Sequence, residues 1–117
     1  MNNVSLIGRL TADPWTKAVD EERTITKFHI AVDRGYAAEK KEELKGEGKQ
    51  TADFPQIVVW GKLAESCSKI LKKGLLVGVS GVVQTSTYDT SDGDTVYSTY
   101  VNGKNIKFLE FPTKEED

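Results

Sequence analysis

A chain of 117 residues with 38% hydrophobic and 29% charged residues is read as one soluble globular domain, large enough to bury a core without staples. Its single cysteine, Cys67, excludes an internal disulfide and fits a cytoplasmic, reducing compartment; its single histidine, His29, leaves no zinc constellation; and no stretch reads as a secretory signal or membrane span. The formal net charge of −2 argues against bulk attraction to nucleic acid, so contact with such a ligand has to rest on local charge and stacking.

The first predicted strand, Asn3 to Ala12, alternates imperfectly around Gly8, as a strand that coils to close a small barrel does. Asp13-Pro14 signals a turn. Trp15 follows it and is expected to pack against the barrel end rather than sit half exposed on a loop. After a second turn at Asp20 to Arg23, the segment Thr24 to Arg34 alternates cleanly. Phe28, Ile30 and Val32 face inward, and Lys27, His29, Ala31 and Asp33 face outward. A lone His29 without an orienting partner reads as a surface residue, not a catalytic one.

Gly35 to Thr51 is a long mixed-charge segment with Tyr36 at its base and one apolar anchor, Leu44. It reads as a binding arm, a solvated hairpin or a short helix over Ala37 to Lys45. Phe54 to Trp60 is the third strand. Ile57 and Val59 fall on one face, and Phe54, Gln56, Val58 and Trp60 on the other, so two aromatics are presented outward as a platform for something flat. At Gly61 the period changes to that of a helix, with Leu63, Cys67, Ile70 and Leu71 on one stripe, and Gly74 is read as its stop. Two further strands, Leu75 to Thr87 and Thr95 to Leu109, flank a hairpin turn signalled by Asp92-Gly93, with Tyr88 at its base.

The predicted fold is therefore all-β with one short helix. Five strands form an OB-fold barrel, the helix lies between the third and fourth, and residues 1–110 form the domain ahead of a short acidic tail, 111–117. Several segments in this order carry a specific resemblance: NNVSLIGRLTADP, TITKFHIAV, the block from Trp60 to Glu65, LKKG at Leu71 to Gly74, and NIKFLE. Over about residues 1 to 110 the chain resembles bacterial and phage single-stranded DNA-binding proteins.

That resemblance implies a homotetramer, a dimer of dimers, that wraps single-stranded DNA without sequence preference in replication, recombination or repair. The positions matching the family's base-stacking aromatics are Tyr36, Phe54, Trp60 and Tyr88. Arg9, Lys62, Lys72 and Lys73 are the candidate phosphate contacts, and Gln56, Gln84 and Ser86 stand where the family tends to be basic. No cofactor, metal or catalytic set is expected, and no membrane. The family's usual flexible linker and partner-docking tip have no counterpart in the tail, so enzyme recruitment through an acidic tail is not expected. The competing reading is an OB-fold adaptor that binds a protein in a replication or primosome complex.

Overall fold

A computed structural model describes residues 1–110 of the protein. The acidic segment 111–117, and the expectations about it, lie outside the described residues. The elements run β1 (Val4–Leu10), β2 (Trp15–Ala18), β3 (Thr24–Asp33), α1 (Ala38–Gly46), β4 (Ala52–Asp53), β5 (Gln56–Trp60), α2 (Gly61–Ile70), β6 (Leu76–Asp89) and β7 (Thr95–Phe108).

Five of these strands close a ring. β1 pairs with β3, β3 with β5, β5 with β7, β7 with β6, and β6 with β1; every pairing is antiparallel except β5 with β7. This is the partly open OB-fold barrel, with α2 between its third and fourth strands. β1 makes closure possible by changing partners. It pairs with β6 from Val4 to Arg9 and with β3 at Arg9 and Leu10. At this crossing a Cβ on Gly8 would collide with the Ala31 carbonyl, so only glycine allows the backbones to approach. A bulge at Ser80/Gly81 bends the neighbouring β6.

The core follows the two sequence periods. Phe28 and Ile30 of β3, Ile57 and Val59 of β5, and Val77 and Val79 of β6 point inward in period two, and α2 contributes Ala64 and Cys67 to the same cluster. Each such aliphatic side chain contributes about 1.5–3 kcal/mol on full burial. A buried hydroxyl fixes the helix against the barrel: Thr26 Oγ1 donates to the Ala64 carbonyl at 2.9 Å and lies 2.9 Å from Thr16 Oγ1. Strand and helix join without slack because Gly61, at φ +70°, turns the chain between Trp60 and the first helical turn.

Two local expectations are corrected, and the alternatives left open for the segment after Tyr36 are decided in favour of the short helix. The helix ends at Ile70, short of Gly74. Leu71 is already extended, because leaving the helix there lays its side chain into the core, and Gly74 instead belongs to a separate turn that the Leu75 N–H closes on the Lys72 carbonyl at 3.1 Å. A second helix, α1, is present in the segment after Tyr36. It buries no residue, and the 2.6 Å ion pair from Lys41 to Asp33 links it to the end of β3. Trp15 does not pack against the barrel end. It begins β2, paired with Lys27, and remains half exposed.

Candidate nucleic-acid interface

Residues directly opposed on paired strands project from the same face of a sheet, so strand register determines which side chains share the barrel's outer surface. One row across β2, β3 and β5 is Lys17, Ile25, Trp60. The next is Trp15, Lys27, Val58, and it continues to Asn102 of β7. A third pairs His29 with Gln56. Ile25 and Val58 are buried although they belong to the outer face, and they form an apolar floor between longer side chains.

A concavity of about 180 Å³ lies on this floor, lined by Ile25, Lys27, Gln56, Val58, Trp60, Ser86, Ser98 and Tyr100. It places the outer face of β3 and β5 against the β6/β7 hairpin, with an indole and a phenol on its walls and a lysine beside them. Tyr88 lies on the same side of the hairpin as Ser86, one side-chain step further along β6, and is 60% exposed.

The remaining two predicted aromatics sit at the opposite end of β5. Arg34, immediately after β3, makes a two-pronged ion pair with Asp53 at 2.7 and 3.0 Å; Asp53 first, and Tyr36 second, raise the pKa of its guanidinium. Asp53 immediately precedes Phe54. One ion pair therefore fastens together the chain ends that carry Tyr36, 38% exposed, and Phe54, 52% exposed. Arg34 holds the Asp53 carboxyl below the usual carboxylate range. From Phe54 to Trp60, which is 42% exposed, six residues of extended chain span about 20 Å. Phe54 and Trp60 thus lie near opposite ends of β5, with Tyr36 on the chain end that Arg34 ties to Asp53 and Tyr88 on the β6/β7 hairpin beyond Ser86.

The predicted cations are less uniform. Lys62 stands in the first turn of α2 next to Trp60, exposed and without an ion pair among the described residues. Lys72 and Lys73 are exposed in the turn before β6, where the Lys73 N–H donates to Asp13 Oδ1 at 2.8 Å. Arg9 is already engaged: its guanidinium bridges both carboxylate oxygens of Glu110 at 2.9 and 3.2 Å and donates to the Gly74 carbonyl at 3.0 Å. That partnership raises the Arg9 pKa and lowers that of Glu110, so Arg9 stays charged but is locally neutralised.

The family model described as the single-strand binding protein family matches residues 1–109. The chain belongs to that family. It is 48% identical over 112 residues to single-stranded DNA-binding protein 2 of Clostridium acetobutylicum, covering 95% of this chain and 78% of that relative. A single-stranded DNA-binding protein of Clostridium tetani is 44% identical over 116 residues, 98% of this chain and 74% of that one. A third, from Caldanaerobacter subterraneus, is 42% identical over 110 residues, with coverages of 94% and 69%. The single-strand binding family is one of binding proteins, in keeping with a sequence in which no catalytic set is read.

Within this single-strand binding fold, three residues of the outer face lay outside the sequence-derived site: Lys27, Tyr100 and Trp15. The outward parity of Lys27 was visible in the alternation of Thr24 to Arg34. What the sequence lacked was the register that brings it between Trp15 and Val58. Tyr100 required the parallel pairing of β5 with β7, a contact between segments about forty residues apart for which no local pattern exists.

Proposed function

We propose that this protein binds and protects single-stranded DNA in the cytoplasm, without sequence specificity, by stacking bases on Tyr36, Phe54, Trp60 and Tyr88 and by meeting phosphates with Lys62, Lys72, Lys73 and, in part, Arg9. The observation that carries the reading is the outer face of β3 and β5: exposed aromatics around an apolar floor, lysine beside them, on a barrel of the single-strand binding family. Stacking suits this ligand because every base offers a π-face, which gives affinity at about 1–3 kcal/mol per base without sequence readout. Electrostatics take second place in a chain of net charge −2.

The same proposal includes assembly as a homotetramer. β1 is paired with β6 from Val4 to Arg9 but with β3 only at Arg9 and Leu10, which leaves its first half open along one edge. Ile7 of this segment is exposed. An open apolar strand edge is a place for a second copy to pair.

The test is a titration of the full chain with labelled oligo-dT, single-stranded and annealed to oligo-dA. Tight binding of the single strand and much weaker binding of the duplex support the reading. No binding of either at micromolar protein and low salt contradicts it, and returns the outer face to the protein-adaptor alternative.

A further inference from the structure

Trp15 has no role in the site described above, yet it is half exposed at the start of β2, with the Lys27 ammonium 5.4 Å from the centre of its ring. A second cleft, about 310 Å³, opens there; Thr11, Asp13, Trp15, Lys27, His29 and Gln56 are among its walls. Lys27 and Gln56 also line the concavity at Trp60, so the two depressions adjoin across β3 with these side chains bordering both. At the far rim Asp13 accepts the Lys73 N–H, which puts the start of the Lys72/Lys73 turn beside this cleft.

We infer that Trp15 is a further base-stacking position, and that the bound strand continues from Trp60 over Lys27 and across β2 toward Lys72 and Lys73. The inference rests on the proposal that the outer face binds single-stranded DNA, and it names an additional subsite of that surface. Three features support this occupant. The cleft adjoins the proposed site through Lys27 and Gln56. Lys27 and Lys17 stand on the same face as Trp15 and suit a polyanion, against one carboxylate, Asp13, whose Oδ1 is already hydrogen-bonded. The indole is half exposed with the Lys27 ammonium 5.4 Å from its centre, so a flat base and the phosphate beside it would meet an aromatic surface and a cation together.

Trp15 and Trp60 are the only tryptophans in the chain, so each can be watched alone. The Trp60→Phe variant reports on Trp15, and Trp15→Phe on Trp60, while both keep an aromatic ring at the changed position. Addition of oligo-dT is expected to quench indole emission in both variants, and Trp15→Ala is expected to weaken oligo-dT binding about tenfold in polarisation measurements. If the Trp60 signal is quenched while Trp15 emission stays unchanged and Trp15→Ala binds as the parent does, the Trp15 subsite is wrong and the DNA-binding reading stands. If the unsubstituted chain fails to bind oligo-dT at all, the functional reading fails and this inference with it.

Discussion

Truncating Trp60 tests the interface at its best-defined point. The indole stands at the junction of β5 and α2 and is 42% exposed, so a little more than half of its surface rests on its neighbours. A tryptophan buries up to about 250 Å² when enclosed. Trp60→Ala therefore removes on the order of 100 Å² of protein contact, a stability cost of about 2.5 kcal/mol at 25 cal/mol per Å². The lost stacking adds a separate cost to DNA binding of about 1–3 kcal/mol. At 1.4 kcal/mol per decade this is about 5- to 140-fold in affinity. The two effects separate experimentally: thermal unfolding reads the first, and polarisation of a labelled oligo-dT, recorded well below the unfolding transition, reads the second. Phe54→Ala, at the other end of β5, should show a similar loss of affinity. If both variants are folded and bind as tightly as the parent, the outer face of β3 and β5 is not the DNA surface.

Other outcomes follow from the same geometry. The affinity of one subunit should fall with salt with a log–log slope of about −3, at roughly −0.7 per phosphate for four contacts, and Lys62→Ala should make it shallower by about 0.7; a slope near zero at every strand length refutes the phosphate assignments. Thr26→Val removes the hydroxyl joining β3 to α2 and should cost about 1–2 kcal/mol, lowering Tm by roughly 5–10 °C; an unchanged Tm would show that the bond adds nothing. The carboxyls of Asp20, Asp33, Asp53 and Glu110 are held below their ordinary pKa by hydrogen bonds and cations, so the stability they add is present above the unfolded carboxylate range near 4 and is lost as pH falls through their folded values. Tm should then decline from pH 5 to pH 2, and a rise over that interval contradicts the assignment. Burial pushes the Cys67 thiol up to about 11, so a thiol reagent at pH 8 should label the unfolded chain and spare the native one.

The barrel was legible in the sequence wherever one face of an element is buried and the other is wet. β3 shows this most clearly: Phe28 and Ile30 alternate with Lys27 and His29, and the burial follows that pattern. β2 was missed because WTKA carries no alternation; all four residues are exposed, and the strand exists through pairing with β3 across the Asp20 to Arg23 turn. For the same reason Trp15 was expected to pack. An aromatic is usually buried, and only the register beside Lys27 shows what keeps this one at the surface. The helix end was misplaced because Gly74 is a natural stop signal, whereas the need to seat Leu71 in the core acts earlier and leaves no mark of its own in the sequence. Of the site, the aromatics were visible as residue types at matching positions. The tie between Arg34 and Asp53 that brings the Tyr36 and Phe54 chain ends together, and the neutralisation of Arg9 by Glu110, depend on contacts distant in sequence.

Titration of the full chain with poly-dT, recording its tryptophan emission, tests whether the outer face of this barrel holds single-stranded DNA by stacking. Saturable quenching with a defined number of nucleotides per subunit is expected, only part of it reversed by high salt, because stacking outweighs charge. Emission that does not change on addition of poly-dT, or quenching abolished entirely by moderate salt, would contradict stacking on that face.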